Sequence, residues 1–191
     1  EMKEQVTTLV GDVQDCAQRI KRIVDDLKDF SRPHGDGQAE SFDLAETIEK
    51  AGRLMHNLIK NSTDHFTCEI ESPLPPVRGQ AQRVEQVVLN LIQNACHALQ
   101  SRNEAIAVRV FHDADKNMNV IEVRDEGMGI EPEILEHIQE PFYTTRREEG
   151  GSGLGLSVSS RIIADHDGRL EIESTPGAGS LFRVILPTGK S

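Results

Sequence analysis

The chain has 191 residues, of which 37% are hydrophobic and 28% charged, enough for one packed domain with an extra element and too apolar for a disordered chain. Its 21 basic residues face 32 acidic ones, for a net charge of −11; with no Lys/Arg-rich block, this balance argues against nucleic acid or an anionic membrane surface as a partner. The three cysteines, Cys16, Cys68 and Cys96, are far apart and odd in number, which points to free thiols in a reducing compartment rather than a zinc site or a disulfide frame.

Residues 1–32 carry apolar side chains at Val6, Leu9, Val13, Cys16, Ile20, Ile23, Leu27 and Phe30. The spacing alternates three and four, the seam of a long heptad-patterned helix that packs on other helices and dimerises through a bundle; an amphipathic helix lying on the chain's own globular core is the alternative. Pro33, Gly35 and Gly37 break it and mark residues 33–41 as a linker. Asp43-Leu-Ala-Glu46 reads as a capping box opening a helix to about Lys60. His65–Glu71 alternates as a strand, and Pro73, Pro75 and Pro76 form a turn. Residues 80–100 form the strongest helix, with Val84, Val87, Val88, Leu91, Ile92, Ala95 and Leu99 on its apolar face and Gln86, Asn90, Asn94 and His97 along a polar stripe. Strands over Ala105–His112 and Asn119–Arg124, a short helix over Pro132–Ile138 and a mobile loop over 139–153 follow. A helix over Leu154–His166 stops at Asp167-Gly168. Two strands, Arg169–Ser174 and Leu181–Leu186, close the chain around a Pro176–Gly179 turn. The mixture of helices with hairpin-linked strands, without strict βαβ alternation, predicts an α+β fold. It is a two-layer α/β sandwich with a mixed sheet and helices on one face, filling residues 42–189. No apolar run approaches the ~20 residues that span a bilayer, and no signal-peptide pattern opens the chain. A cytoplasmic fragment of a longer protein is expected, any inner-membrane anchor belonging to segments outside this chain.

Three clusters carry chemistry. Asn90 and Asn94 lie four apart on one helix face. Their amide oxygens are neutral hard ligands of the kind magnesium takes alongside water and phosphate oxygens, although solvent-facing or hydrogen-bonding asparagines give the same pattern. Asp125-Glu-Gly127-Met-Gly129 ends a strand with a carboxylate, which only accepts hydrogen bonds and so suits the exocyclic amino group of adenine; a plain Asp-x-Gly turn is the alternative. Gly150 to Ser157 runs a flexible glycine backbone into a helix N-terminus, which suits phosphate but also a hinge. The segment is neither a Walker sequence nor GxGxxG. Phe142 and Tyr143 are placed to pin one end of a lid over 146–152 to the core.

These clusters, in this order, resemble the ATP-binding domain of bacterial sensor histidine kinases, within the superfamily shared with gyrase B, Hsp90 and MutL. The asparagine box is NLIQNACHAL, the first glycine box DEGMGI, the phenylalanine box EPFYTTR and the second glycine box GGSGLGLS. The resemblance implies ATP and Mg2+ as cofactors. Asn94 would hold magnesium, with Asn90 contacting metal or phosphate, and the two would be the catalytic pair. Asp125 would bind the adenine amino group, with Gly127, Gly129 and Ile130 around the base. Thr145, Arg146, Gly151, Ser152, Gly153, Leu154, Gly155 and Leu156 would surround the phosphates. His97 stands where many relatives carry Lys or Arg, and Arg146 where many carry Lys. Residues 1–32 are similar to the second helix of the family's dimerisation and phosphoacceptor hairpin. The implied partners are a response-regulator receiver domain and a second copy of the protein, joined through that helix and its missing partner helix. None of the seven histidines has the acidic residue and proline that follow the family's phosphoacceptor, so this fragment is expected to bind Mg-ATP without phosphorylating itself. A degenerate, nucleotide-sensing module and an ATPase of the gyrase or Hsp90 type are the alternatives; the latter usually carry a water-activating glutamate where Asn90 stands.

Overall fold

The computed structural model describes Val24, residues 39–146 and residues 151–189. Apart from Val24, the heptad helix predicted for residues 1–32 lies outside the described residues, as do its dimer and residues 33–38 of the predicted linker.

The first element is a short strand, β1 (Glu40–Phe42). Asp43 caps the helix that follows, α1 (Leu44–Ser62), its Oδ1 accepting from the N–H groups of Ala45 at 2.8 Å and Glu46 at 3.4 Å. This is the N-cap half of the predicted capping box, satisfying donors that the helix itself leaves open. Strand β2 (His65–Ile70) is followed by the proline turn and a second short strand, β3 (Val77–Gly79), which pairs antiparallel with β1. Helix α2 (Ala81–Ala98) then leads to the hairpin β4 (Ala105–Asp113) and β5 (Met118–Asp125). A one-turn helix, α3 (Pro132–Leu135), precedes α4 (Gly155–Ala164) and the closing hairpin β6 (Arg169–Thr175) and β7 (Gly179–Pro187).

The main sheet has five strands in the order β2-β4-β5-β7-β6. β2 runs parallel to β4 and every other neighbour is antiparallel, so the sheet is mixed as predicted. Alternation sends Ile106, Val108 and Val110 of β4, Ile121 and Val123 of β5, and Phe182, Val184 and Leu186 of β7 into one buried cluster with the helices. The opposite face carries a cross-strand row of alternating charge, Glu69, Arg109, Glu122, Arg183 and Glu171, one residue per strand. Opposite charges on neighbouring strands stabilise that register; Arg183 Nε donates to Glu122 at 2.8 Å and Nη1 to Glu173 at 2.9 Å. The proline turn is tied down from inside, where the fully buried Asn119 donates from Nδ2 to the Pro75 carbonyl at 2.7 Å.

Three details differ from the sequence reading. β1 and β3 were not expected: three residues are too few to show a period, and they form by pairing with each other, Val77 also bridging to Thr188. The short helix stops at Leu135 instead of Ile138, and the chain continues in tighter turns, with His137 N–H donating to Ile134 O at 3.0 Å and Glu140 N–H to His137 O at 2.8 Å. α4 ends at Ala164, and Asp167, not Gly168, takes the left-handed position at φ 56°. The N–H of Gly168 reaches Ile163 O at 2.9 Å and that of Asp167 reaches Ala164 O at 3.0 Å, the bond pair of a Schellman motif. Aspartate tolerates this conformation.

Leu91 of α2 is fully buried in the cluster between helices and sheet. Leu91→Ala is expected to cost about 2–5 kcal/mol of folding stability, read as an earlier midpoint with an unchanged slope in urea unfolding.

Candidate nucleotide-binding site

Along α2, the apolar residues Val84, Val87, Val88, Leu91, Ile92 and Ala95 are buried in the core. The polar stripe of the same helix lines one wall of a cavity of about 630 Å³, to which it contributes Gln86, Asn90, Gln93, Asn94 and His97. Asp125, Ser180 and Phe182 form another part of the lining, Met128 to Glu131 a third, and the segments 143–146 and 151–153 a fourth; Gly155, Leu156 and Ser159 enter from α4.

Asp125 is the last residue of β5 and is 2% exposed. The sheet register sets Ser180 of β7 directly opposite it. Its Oδ1 accepts from the Gly127 N–H at 3.0 Å. Burial pushes the carboxyl above its ordinary value, opposed by hydrogen bonds from the Gly127 and Ser180 backbone and the Ser180 hydroxyl, while Glu104 adds to the rise. The turn after Asp125 lies against the end of α2, Met128 N–H donating to Ala98 O at 3.0 Å. A Cβ on Gly127 would meet that same carbonyl at 2.3 Å, and Gly129, at φ 69°, has no room because Thr175 O would be 2.1 Å away. Both glycines are therefore demanded by the packing of this turn on its neighbours.

Asn94 is half-buried in the wall and makes no side-chain hydrogen bond among the described residues. Asn90, one turn earlier, donates from Nδ2 to Ser159 Oγ on α4 at 3.0 Å. Gly155 gives its amide room: a Cβ there would lie 2.4 Å from Asn90 Oδ1. The first helical bond of α4 runs from Val158 N–H to Leu154 O at 2.8 Å, so the N–H groups of Gly155, Leu156 and Ser157 have no partner within the helix. Thr145, Arg146, Gly151, Ser152 and Gly153 reach the cavity from the loop. Its two arms meet where Gly151 N–H donates to Arg146 O at 2.9 Å; residues 147–150 of the predicted lid lie outside the described residues.

The cavity thus gathers Asn90, Asn94, His97, Asp125, Gly129, Ile130, Thr145, Arg146, Gly151, Ser152, Gly153, Gly155 and Leu156. Two residues named from the sequence stand apart from its lining. Gly127 packs on α2, and Leu154 is fully buried in the core. The loop anchor also differs: Phe142 is 55% exposed and held by its backbone, its N–H donating to Gly153 O at 2.9 Å, while Tyr143 packs at 5.7 Å from the His137 ring. Ser159 and Ser180 were missed. Ser180 is readable only through strand register, and Ser159 only as the residue one helical turn after Gly155.

Residues 79–190 match the family described as histidine kinase-, DNA gyrase B- and HSP90-like ATPases. The chain belongs to this family. A putative sensor protein of Shewanella frigidimarina is 42% identical over 96% of the chain, and the signal transduction histidine-protein kinase AtoS of Escherichia coli is 32% identical over 88%; the match spans 27% of the length of each. The solved catalytic domain of histidine kinase ThkA is 28% identical, with a TM-score of 0.69, and the alignment covers 80% of this chain and 97% of that one. ThkA has also been solved in complex with the response regulator TrrA; there the identity is 25%, the TM-score 0.73, and the coverage 93% of this chain and 49% of that one. The mixed sheet with helices on one face is the fold of these histidine kinase catalytic domains.

The raised pKa of Asp125 has a consequence for stability. Ionised, the buried carboxylate weakens the folded state relative to the unfolded one; below both pKa values that penalty is gone. Asp125→Asn is therefore expected to raise the melting temperature at neutral pH. The gain should shrink as pH falls through the folded-state pKa towards 3.8, the ordinary value, in melting curves recorded across that range.

Proposed function

We propose that this chain is the ATP-binding catalytic part of a sensor histidine kinase, which holds Mg-ATP and presents its γ-phosphoryl group to a histidine on a dimerisation helix. The observation that carries the reading is the placement of Asp125. It is a carboxylate buried at the cavity wall, with Gly127 and Ser180 donating to it. Ionised, it can only accept, so it favours the amino group of adenine over the carbonyl that guanine offers in its place. Burial strengthens that selection, because a mismatched acceptor would face the charge without water between them.

Magnesium fits the donor set only together with the nucleotide. Among the described residues there is no cluster of three or more His, Cys, Asp or Glu side chains able to hold a metal. What the cavity offers is the unbonded amide of Asn94 with Asn90 beside it, and one or two neutral oxygens suit a cation whose other ligands are phosphates and water. Held there by Asn94 and Asn90 with the nucleotide, magnesium would supply positive charge against the charge of the phosphates. The chain's own residues do the rest. Backbone N–H groups at the start of α4, with Arg146 and His97, draw the triphosphate into a protein of net charge −11.

We place the acceptor histidine outside the domain, none of whose histidines has the acidic residue and proline that follow the family's phosphoacceptor. His166 is buried, with Gln80 N–H donating to Nε2 at 3.0 Å and Nδ1 lying 2.7 Å from Ile162 O, and His137 pairs with Glu140 at 2.8 Å. The phosphoryl group would pass to an aspartate of a response-regulator receiver domain, as the ThkA complex with TrrA suggests by analogy, and residues 1–32 would supply one helix of the homodimer. Among the described residues no helix is long and apolar enough to cross a membrane; we place the domain in the cytoplasm, where ATP and free thiols occur together. The kinase reading is preferred to a gyrase- or Hsp90-type ATPase, because Asn90 cannot serve as a water-activating base.

Titration with a fluorescent ATP analogue tests this. Asp125→Asn is expected to weaken binding by about 1.5–3 kcal/mol, the worth of a hydrogen bond to a charged group, or roughly 10- to 150-fold in Kd; unchanged affinity would refute the base contact. Asn94→Ala should remove the magnesium-dependent part of the affinity and leave binding in EDTA intact. Because Asp125 titrates above its ordinary value and accepts from adenine more strongly when ionised, affinity should fall on acidification at a pH above 3.8, the ordinary aspartate value, and Asp125→Asn should lose that dependence.

A further inference from the structure

We propose that Ser159 is a positioning residue for the reaction. It holds the Asn90 carboxamide so that the oxygen, and not the amino group, faces the start of α4. The inference rests on the Mg-ATP reading of the cavity and assigns a role to a residue outside the glycine box.

Gly155 and Ser159 are one turn apart on α4, and together they grip both ends of a single amide on α2. Asn90 Nδ2 donates to Ser159 Oγ at 3.0 Å. At the other end, Asn90 Oδ1 rests against the Gly155 backbone, so closely that a Cβ would lie 2.4 Å from it. Ser159 is 2% exposed, so water does not compete freely for its hydroxyl. An asparagine amide is nearly symmetric in shape, and its two orientations differ only in which end accepts and which donates. The Ser159 hydroxyl bonds the amino end here and anchors the amide; because a hydroxyl can accept or donate, the end that faces α4 is decided by the helix start. The first turn of α4 carries partial positive charge and unpaired N–H groups, beside which a carbonyl oxygen is favoured and an amino group is not.

With the amide fixed this way, Asn90 offers an oxygen at the phosphate end of the cavity. It then serves a cation or the water on it, rather than donating to a phosphate. Without Ser159 the amide loses its anchor and can swing its oxygen away from the cation. The effect of Ser159 must therefore pass through Asn90 and appear only when magnesium is present.

A double-mutant cycle reads this directly. The Kd of a fluorescent ATP analogue is measured in magnesium and in EDTA for wild type, Ser159→Ala, Asn90→Ala and the double variant. Ser159→Ala is expected to weaken binding in magnesium roughly 3- to 10-fold, the range for one hydrogen bond, with no change in EDTA and no further loss in the Asn90→Ala background. An equal loss with and without magnesium, no loss at all, or a loss that adds in full to that of Asn90→Ala would overturn the positioning role. Wild type that binds no adenine nucleotide, or binds it equally well in magnesium and in EDTA, would overturn the underlying reading instead. Side-chain amide NMR of the wild-type protein without nucleotide gives an independent check. The Asn90 Nδ2 protons should be protected from exchange, and exchange at the rate of a free amide would contradict the proposal.

Discussion

Helix α2 has to meet two environments at once, and the site exists because its two faces are kept apart. The face built from Val84, Val87, Val88, Leu91, Ile92 and Ala95 is buried, which fixes the helix against α1, α4 and the sheet. Only then can the other face hold Asn90 and Asn94, spaced about 6 Å along the axis, in a constant relation to the carboxylate at the end of β5. Asparagine is a poor interior helix residue. Two of them in the middle of this helix are tolerated because the core face more than offsets their cost, and because one of them is bonded to α4.

The carboxylate supplies the complementary constraint. A buried charge is unfavourable unless it is paired or well hydrogen-bonded. Asp125 has donors from Gly127 and Ser180 and still sits above its ordinary pKa, so the folded chain tolerates it at some expense. Its neighbours are held by backbone packing. The 125–129 turn lies on the end of α2, and Gly177 N–H donates to Met128 O at 2.8 Å, tying the same turn to the β6–β7 hairpin. If Asp125 reads the base as proposed, recognition of the base and integrity of the fold share one set of contacts. The end proposed for the triphosphate is built differently, from loop backbone and a helix start, where an acidic protein can attract an anion only locally.

How much of this was legible in the sequence depended on how local the cause was. α2 and the sheet strands were readable because six or more residues show their period, and Asp125 because a strand ends on it. β1 and β3 were not, since three-residue strands gain their structure from a partner more than thirty residues away. The glycines of the first glycine box drew attention for the right segment but for an incomplete reason. Gly127 and Gly129 are required by close backbone neighbours, and only Gly129 lines the cavity. Leu154 sits inside a phosphate-loop pattern yet belongs to the core. Phe142 reads as an anchor from its apolarity, whereas the backbone beside it, at φ 67°, is what is tied. Ser159 gave no signal, because a serine facing another helix looks like any small packing residue until that helix is in place.

The central claim is that a buried, ionised Asp125 reads the base. Competition titration of the wild-type protein with ATP and GTP, both in excess magnesium, isolates that claim, since the two nucleotides share every phosphate and metal contact. The account predicts that GTP competes more weakly on the order of 100-fold or more, the scale set by an acceptor forced against a buried acceptor. Equal competition by the two nucleotides would contradict it.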